Sequence, residues 1–300
     1  MHKLVNKNRF GFFELADKPT PDRLSKYYAE KYYQNAVGSY EKKYTAEEHA
    51  YLNNKIEQRY TIIVDLLAQT DHKGRTFLDV GCGEGWALKF FKDRAWDVWG
   101  LDYSKYGCET QNPAYLDNLY VGDIYTNIKS FIRAGCTFDC IWLDNVLEHV
   151  LDPLSLVTDC HSLIKGNGVL VIEVPNDFSA IQQHLLENGM ISKEFWVVNP
   201  DHISYFNKEG LSALCDEAGW ATKYVMGDYP IDFNLFNPHT NYIENSAVGK
   251  SCHQSRVVIE NLLHAISVEK VNELYKAFAG LGLGRQIIAF FQKKEEIWSR

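Results

Sequence analysis

The chain has 300 residues, of which 46% are hydrophobic and 14% aromatic. This length and composition can bury one large core, or one core with an appendage. The formal net charge of −8 argues against a nucleic-acid substrate, because binding to a phosphate backbone requires a positive surface. No apolar run approaches the roughly 20 residues that a membrane-spanning helix needs, and the first residues lack the apolar core of a signal peptide.

Seven cysteines are spread along the chain, and no two of them form a Cys-x-x-Cys pair. This pattern suggests neither a zinc site nor a framework of disulfides. An odd number of scattered thiols fits a reducing compartment. We therefore expect a cytoplasmic protein that does not insert into a membrane.

The first 75 residues are rich in tyrosine and in predicted helix. The clearest helical stretch runs from Glu47 to Gln69. Its residues Ile62, Ile63 and Leu66 lie on one helical stripe, which predicts an amphipathic helix that packs on a sheet.

The most specific pattern of the chain runs from Thr76 to Asp102. A short apolar run leads into three alternating glycines, then a predicted helix, then a second apolar run that ends on Asp102. This order is typical of the nucleotide-binding half of a doubly wound α/β fold. Glycine lets the backbone adopt open torsions and lets a ligand approach the main chain closely. The three glycines are Gly81, Gly83 and Gly85.

The charges around this glycine turn indicate the kind of nucleoside. Asp79 and Glu84 flank the glycines, and no Lys or Arg lies between Thr76 and Leu88. A nicotinamide or flavin dinucleotide would place a pyrophosphate at the helix N-terminus, where these carboxylates would repel it. S-adenosylmethionine (SAM) carries an ammonium and a sulfonium and no phosphate. The acid, spacer and Gly-x-Gly-x-Gly resemble the signature of the class I SAM-dependent methyltransferases.

The resemblance continues along the chain from about residue 76 to residue 224. Tyr120 to Ile124 is similar to the end of the family's third strand, and residues 138–144 are similar to its fourth. The elements Glu148-His149-Val150 and Val174-Pro175-Asn176 resemble one branch in particular. That branch holds the ubiquinone-biosynthesis O-methyltransferases and the methyltransferases of sugars and surface polysaccharides.

The resemblance implies a SAM site at the ends of the first four strands. Asp102 would accept hydrogen bonds from the ribose hydroxyls. Asp123 would take the adenine amino group, and Ile124 would pack on the adenine ring. The expected cofactor-binding residues are Asp79, Gly81, Cys82, Gly83, Gly85, Asp102, Tyr103, Gly122, Asp123, Ile124, Asp144 and Asn145.

Later elements complete the predicted fold. Asp152 and Pro153 predict a helix start, with Asp as the cap. The fold class is α/β: a doubly wound, seven-stranded, mostly parallel Rossmann-like sheet with N-terminal helices and a large insertion before the last strand. Further strands are predicted over 168–174, 221–226 and 285–291.

We expect four regions in the chain. The first is an N-terminal helical lid, and the second is the SAM-binding core, which includes an excursion on the acceptor side. The third is an insertion for acceptor specificity or dimerisation, because insertions on a rigid scaffold usually carry specificity, and the fourth is the last core strand with a tail. These regions are residues 1–75, 76–226 (excursion 177–207), 227–284 and 285–300.

Methyl transfer from a sulfonium is an in-line displacement, so positioning supplies most of the acceleration. A hydroxyl acceptor also needs a general base. His202, in an aromatic stretch after the fifth strand, and His149, just beyond the fourth, are the candidate bases. Asn176 at the tip of the fifth strand is a candidate for orienting the acceptor.

A metal ion is an alternative to a protein base. Asp144, Glu148, His149 and Asp152 gather oxygen ligands and one imidazole within nine residues, which could hold Mg²⁺. Against this, Asp152 is already assigned as a helix cap. Glu148 and His149 are adjacent, so their side chains would diverge on a helix. We therefore expect no metal.

The sequence thus predicts a SAM-dependent O-methyltransferase that acts on a small polar acceptor. The resemblance favours a sugar or a precursor of a surface polysaccharide or secondary metabolite. Alternatives are an N- or C-methyltransferase of an amino sugar, keto sugar or quinone-like ring, and a SAM-binding protein without catalysis. A homodimer is possible, and no nucleic-acid partner is expected.

Overall fold

A computed structural model describes residues 4–24, 26–27, 43–67 and 74–295. The strands are β1 (Val5–Lys7), β2 (Phe13–Leu15), β3 (Thr76–Val80), β4 (Asp97–Asp102), β5 (Leu119–Val121), β6 (Phe138–Asp144), β7 (Ile164–Pro175), β8 (Ser204–Tyr205), β9 (Trp220–Gly227) and β10 (Gln286–Lys293). The main helices are α1 (Ala46–Leu67), α2 (Trp86–Lys92), α3 (Tyr106–Gln111), α4 (Ile124–Arg133), α5 (Pro153–Leu163), α6 (Ala180–Glu187), α7 (Lys208–Glu217), α8 (Gly249–Ile266) and α9 (Val268–Gly280).

Seven strands form one sheet in the order β5-β4-β3-β6-β7-β10-β9. Strands β3 to β7 of this sheet pair in parallel, and β10 runs antiparallel to both β7 and β9. The predicted seven-stranded, mostly parallel sheet is confirmed. The strand order reverses between β3 and β6, so the carboxyl ends of these strands meet at a topological switch point, where ligands of open α/β sheets bind.

The central strands are buried on both faces. Within β6, Ile141 and Leu143 belong to one core cluster, and the alternate residues Cys140 and Trp142 belong to the other. Successive side chains of a strand point to opposite faces, so the two clusters are the two sides of the sheet. This explains why these strands read as continuous apolar runs.

Helix α1 covers one face of the sheet, as predicted. Ile62, Ile63 and Leu67 are buried in the same core cluster as Trp142. The last two residues of the predicted stretch, Ala68 and Gln69, lie outside the described residues.

The N-terminal region contains two short strands in addition to the predicted helix. Strands β1 and β2 form an antiparallel hairpin, and β2 pairs in turn with β8 in the excursion after β7. Val5 and Leu15 pack there with Ile203 and Tyr205. These strands are only three residues long, too short for a recognisable alternating pattern, and they depend on a partner far along the chain. Of the tyrosines in this region, Tyr28, Tyr32, Tyr33 and Tyr40 lie outside the described part.

The long segment before β10 contains α8 and α9, which pack against α1. Asn54 of α1 donates a hydrogen bond to Asn261 of α8, with 2.9 Å between Nδ2 and Oδ1. Asn272 of α9 donates to the Gln58 carbonyl oxygen at 3.0 Å. The two helices therefore brace α1. A role of residues 227–284 in acceptor specificity or dimerisation stays a prediction.

None of the helices within the described ranges is long and apolar enough to cross a lipid bilayer.

Candidate active site

The glycine turn between β3 and α2 has the backbone conformation that its glycines predict. Gly81, Gly83 and Gly85 have φ values of 79°, 51° and 76°, a region that side-chain-bearing residues rarely adopt. A Cβ atom on Gly81 would lie 2.4 Å from Val146 Cγ2, whereas one on Gly83 would meet no atom within 4 Å. Gly83 is therefore the point where a ligand can approach the main chain.

Asp102 lies at the end of β4 and holds the glycine turn. Its Oδ2 accepts a hydrogen bond from the Gly83 N–H at 2.9 Å, and its Oδ1 accepts one from the Ser104 N–H at 2.9 Å. Burial raises the pKa of the Asp102 carboxyl, although both N–H groups favour its charged form. Each carboxylate oxygen has two lone pairs, so both can still accept a ribose hydroxyl.

Replacing Asp102 with alanine should weaken SAM binding by about 1–3 kcal/mol, because the ribose hydroxyls lose their acceptor. Asp102→Asn is the matched variant, since its amide keeps one acceptor oxygen and should lose less. Gly83→Val should lose most, because a β-branched side chain is strained at positive φ and would project toward the ligand. Isothermal titration calorimetry measures all three, and wild-type affinity in the alanine and valine variants would overturn the cofactor assignment.

The residues predicted for the adenine end are close to one another. The Tyr103 hydroxyl donates a hydrogen bond to Asp123 Oδ2 at 2.9 Å. The other oxygen of Asp123 caps α4 by accepting from the Thr126 N–H at 2.8 Å. Gly122 has a φ of 128°, and Ile124 is buried. Both predicted adenine contacts thus follow β5, beside the end of β4.

A cavity of about 170 Å³ adjoins the glycine turn on the side of α1. Its lining includes two acids that were predicted to bind the cofactor, Asp79 and Asp144. It also includes two cations from α1, Lys55 and Arg59. Its walls are completed by Leu52, Ile56, Gly81, Cys82, Trp86, Ala87 and Trp142. A wider groove of about 420 Å³ between α7 and α9 contains none of the predicted site residues.

The surroundings raise the pKa of both acids of this cavity. Burial, and then the neighbouring Asp144 and Asp102 carboxylates, hold the pKa of Asp79 well above its usual range. Burial and Glu173 raise the pKa of Asp144, while Arg59 and Lys55 act in the opposite direction. A cationic ligand group would favour the charged form of both acids.

The cations of α1 are fixed by Glu173, a buried acid within β7. Arg59 pairs with Glu173 through Nη2 and Oε2, and Lys55 Nζ lies 3.5 Å from Glu173 Oε1. Arg59 Nε is buried and has no hydrogen-bond partner within the described part of the chain. Sequence reasoning missed this group. The only indication of this ion pair in the sequence was Glu173, a charged residue inside the apolar run of β7. A charged residue in a strand does not by itself show which cation pairs with it.

Tyr44 of the N-terminal region contacts the glycine turn. Its hydroxyl donates a hydrogen bond to Glu84 at 2.9 Å, and the Trp86 indole N–H donates to the same carboxylate at 2.6 Å. The Tyr44 and Trp86 rings meet edge to face at 5.9 Å. One tyrosine of the N-terminal region therefore contacts the predicted cofactor loop.

The predicted acceptor side of the site follows β6. Asn145 has a φ of 53°, and its side-chain amide donates to Asp144 Oδ1 at 2.7 Å. The next residues form a single 3₁₀ turn, Leu147–His149. This turn brings Glu148 and His149 together, with 3.7 Å between Oε1 and Nε2. The expectation that their side chains diverge is wrong, because it assumed a regular α-helix.

His202 completes this group from the excursion after β7. The imidazole rings of His149 and His202 meet edge to face, with centroids 4.9 Å apart. His149 Nδ1 lies 2.8 Å from the Asp201 carbonyl oxygen, which leaves Nε2 facing Glu148. Glu148 is buried, and burial together with Asp177, Asp144 and Glu173 holds its pKa well above the usual range. The structure thus brings together both predicted bases.

Among the described residues, these three side chains also form a group that could hold a metal ion. The candidate ligand atoms of Glu148, His149 and His202 all lie within 4.8 Å of one another. Ligand atoms of a tetrahedral zinc site would lie roughly 3.4 Å apart, so the group would have to contract. These three residues differ from the acidic cluster considered as an alternative in the sequence. Asp152 of that cluster caps α5, where it accepts a hydrogen bond from the Ser155 N–H at 3.0 Å.

Methyl transfer should survive removal of divalent metal ions, since two imidazoles are available for proton transfer. The measurement is turnover after dialysis against a chelator, with and without added Zn²⁺ or Mg²⁺. Glu148→Gln is the informative variant, because it keeps the shape and removes the anionic ligand. The prediction fails if the chelator abolishes turnover and added metal restores the turnover of the wild-type protein but not that of Glu148→Gln. The three side chains would then form a metal site.

Asn176 lies at the predicted place but already has partners. Its amide nitrogen donates to the carbonyl oxygens of Gly282 and Gly284, at 3.1 and 3.0 Å. Asn176 thereby ties the end of β7 to the loop that precedes β10. Its role toward an acceptor stays a prediction.

Several buried polar atoms near the His149 turn have no hydrogen-bond partner within the described ranges. These atoms are Glu148 Oε2, Asp177 Oδ2 and Ser204 Oγ. Burial raises the pKa of Asp177 to about 6, even though its other oxygen lies 3.2 Å from the Arg285 guanidinium. Buried polar atoms are normally satisfied, so each of these atoms is expected to find its partner in a water molecule or in a polar ligand group.

The chain is similar to known proteins in sequence and in fold. A protein of Mycolicibacterium smegmatis named "Probable S-adenosylmethionine-dependent methyltransferase" is 26% identical over 174 residues, which are 57% of this chain and 61% of that protein. A ubiquinone biosynthesis O-methyltransferase of Vibrio cholerae is 36% identical over 100 residues, 32% of this chain and 40% of that protein. The chain therefore spans less than two thirds of the length of these relatives.

A crystal structure of a SAM dependent methyltransferase from Archaeoglobus fulgidus shares the fold, with a TM-score of 0.50 and 21% identity over 90% of this chain and 99% of that one. The family described as "Methyltransferase domain" matches residues 52–224, more than half of the chain. The resemblance to SAM-dependent methyltransferases is confirmed. The chain belongs to the methyltransferase domain family.

Proposed function

We propose that this protein transfers the methyl group of SAM to a hydroxyl group of a small polar acceptor. The acceptor class that we infer is a sugar or a related polyhydroxy precursor of a surface polysaccharide or secondary metabolite. The observation that carries the acceptor class is the concentration of unsatisfied buried polar atoms beside His149 and His202.

The cofactor cavity supports one orientation of SAM. The amino-acid tail of SAM carries an ammonium and a carboxylate. Asp79 and Asp144 provide anionic partners for the ammonium, and Arg59 and Lys55 provide cationic partners for the carboxylate. Asp102, beyond the glycine turn, is left to bind the ribose. The sulfonium then lies between the glycine turn and the end of β6, which leads directly to Glu148 and His149.

The acceptor side supports a molecule with several hydroxyl groups. An apolar acceptor would leave Glu148, Asp177 and Ser204 with unpaired buried oxygens, at about 1–3 kcal/mol for each group. Hydroxyl groups can donate to both carboxyl groups and exchange hydrogen bonds with the serine. A polyhydroxy acceptor therefore satisfies this region where a hydrocarbon would not.

The chemical step follows from this arrangement. The acceptor oxygen attacks the SAM methyl carbon, the carbon–sulfur bond breaks, and S-adenosylhomocysteine leaves. The hydroxyl proton passes to His202, with His149 as the neighbouring imidazole. No further reactant is needed, and the enzyme contributes mainly alignment and removal of this proton.

Incubation with SAM and pools of sugars, nucleotide sugars and phenols tests the proposal. We expect one pool component to gain one methylene by mass spectrometry, with an equal amount of S-adenosylhomocysteine formed. Gly83→Val serves as the control protein that cannot bind SAM. If SAM binds and no acceptor hydroxyl is ever methylated, the protein is a binder or methylates nitrogen or carbon.

The proposal includes a reducing, cytoplasmic setting. All seven cysteines are free, and six of them are buried. Free thiols in this number are usual where proteins are kept reduced.

A further inference from the structure

Helix α1 places three side chains of the cofactor region in one row. Tyr51, Lys55 and Arg59 are spaced four residues apart, so they follow one another along the same face of the helix. Lys55 and Arg59 line the cofactor cavity. Tyr51 lies behind this lining and is 7% exposed, and the proposed function does not use its ring.

The Tyr51 ring is in contact with two cations. Lys55 Nζ lies 5.7 Å from the ring centroid, and Cζ of Arg256, a residue of α8, lies 5.6 Å from it. At both distances a cation is attracted by the face of an aromatic ring, and the attraction is strongest where water is excluded. The ring therefore restrains the Lys55 ammonium, which sits on a long and flexible side chain.

Arg256 is fixed in turn by two buried acids. Its Nη2 donates to Asp228 Oδ2 at 2.6 Å, and its Nε donates to Glu260 Oε2 at 2.8 Å. Asp228 Oδ1 also accepts hydrogen bonds from the backbone N–H groups of Arg285 and Gln286, at 2.7 and 2.8 Å. The guanidinium that meets the tyrosine ring is thus tied both to its own helix and to the start of β10.

The two groups of buried charges on either helix are unequal. Glu173 pairs with two cations, Arg59 and Lys55, whereas Arg256 pairs with two acids. The first group therefore has one positive charge in excess beside the cavity, and the second has one negative charge in excess. Burial raises the pKa of Asp228, and the positive charges of Arg256 and Lys55 oppose this rise. The second group is therefore close enough to attract the Lys55 ammonium away from the cavity.

We propose that Tyr51 is a positioning residue of the cofactor site: its ring, held by Arg256, keeps the ammonium of Lys55 directed at the carboxylate of SAM. Helix α8 thereby contributes to cofactor binding from behind the residues that line the cavity. This inference rests on the proposed function, which places the SAM carboxylate at Lys55 and Arg59.

Two ligands separate positioning from simple packing. S-adenosylhomocysteine has the amino-acid tail of the cofactor and 5′-methylthioadenosine lacks it, while both contain adenosine and an uncharged sulfur. Calorimetry should show that Tyr51→Leu binds S-adenosylhomocysteine about 5–30-fold more weakly, the range for one desolvated contact between a cation and a ring. The same variant should bind 5′-methylthioadenosine as the wild type does. Tyr51→Phe keeps the ring and should bind both ligands normally.

Further variants test the route through Lys55. Lys55→Met should show the same selective loss, and adding Tyr51→Leu to it should weaken binding little further, because residues that act through one contact are not additive. Arg256→Gln should also lose affinity for S-adenosylhomocysteine alone. If Arg256→Gln does not fold, as judged by its unfolding curve, the Tyr51 variants decide.

Tyr60→Leu is the matched control. Tyr60 lies on the same helix, and its ring also meets an arginine, with 5.2 Å between Cζ of Arg94 and the ring centroid. Neither residue belongs to the lining of the cofactor cavity. Tyr60→Leu should therefore bind both ligands as the wild type does.

Several outcomes would overturn the proposal. Wild-type affinity for S-adenosylhomocysteine in Tyr51→Leu would exclude a role of the ring, and an equal loss of both ligands would show that Tyr51 only supports the fold. Full additivity of Tyr51→Leu and Lys55→Met would exclude an action through Lys55. In these cases the proposed function stands. Wild-type affinity in Lys55→Met would instead overturn the proposal together with the proposed orientation of SAM.

Discussion

Replacing Arg59 with alanine is expected to lower the free energy of unfolding by about 3–5 kcal/mol, the usual effect of removing one partner of a buried ion pair. The side chains of Arg59 and Glu173 are 3% and 1% exposed. After the substitution Glu173 still has Lys55 as an ion-pair partner, with 3.5 Å between Nζ and Oε1. SAM affinity should fall at least tenfold, because a charged partner of the cofactor carboxylate is also lost. Urea denaturation and calorimetry measure the two effects separately.

The matched variant is Lys55→Met, which removes the same charge from the same cavity. Lys55 is 21% exposed, so its loss should affect stability less than the loss of Arg59. Both variants should weaken SAM binding. An Arg59→Ala protein that binds SAM as tightly as the wild type would exclude Arg59 from the cofactor site, whatever its stability.

This ion pair also predicts a dependence of stability on pH. Burial alone would raise the pKa of Glu173. The positive charges of Arg59, Lys55 and Arg256 outweigh this effect and lower the pKa below its ordinary value. An acid whose pKa is lowered by folding stabilises the protein above the pKa of the unfolded chain, about 4.3 for Glu. That contribution is lost as the pH falls below this value. The acid-induced loss of stability should therefore be smaller in a Glu173→Gln protein than in the wild type.

Some features of this fold could be predicted because their signals are local. The apolar runs of β6 and β7 follow from burial on both faces of a sheet. The backbone of the glycine turn has positive φ values at Gly81 and Gly83, and such values favour glycine. The importance of Asp102 could be predicted because it lies at the end of the strand that follows the glycine turn and its helix. Each of these features depends on residues within one strand-turn-helix unit.

The features that could not be predicted depend on contacts between distant segments. Strand β2 of the β1–β2 hairpin pairs with β8, about 190 residues later in the chain. Arg59 and Glu173 are separated by 114 residues, and neither belongs to the glycine-turn pattern. The closeness of Glu148 and His149 depends on a 3₁₀ turn in place of the regular helix that was assumed. Burial and pairing of these charges appear only when the sheet is assembled.

Replacing His202 with alanine is expected to lower kcat by about 100-fold or more, the range for loss of a general base. An alcohol keeps its proton at neutral pH, so its oxygen needs a base as it attacks the methyl group. SAM affinity should hardly change, because the cofactor cavity is lined by other residues. The measurement is single-turnover transfer to the identified acceptor, with SAM binding followed by calorimetry.

His149→Ala is the matched control, because the two imidazole rings are neighbours, with centroids 4.9 Å apart. If His202 is the base, His149→Ala should retain more activity, and added imidazole should restore part of the turnover of His202→Ala only. A His202→Ala protein with wild-type turnover would rule this histidine out. If His149→Ala alone is inactive, the roles of the two histidines are exchanged. If both variants are active, the attacking atom needs no base, and the acceptor is then an amine or an acidic phenol rather than an alcohol.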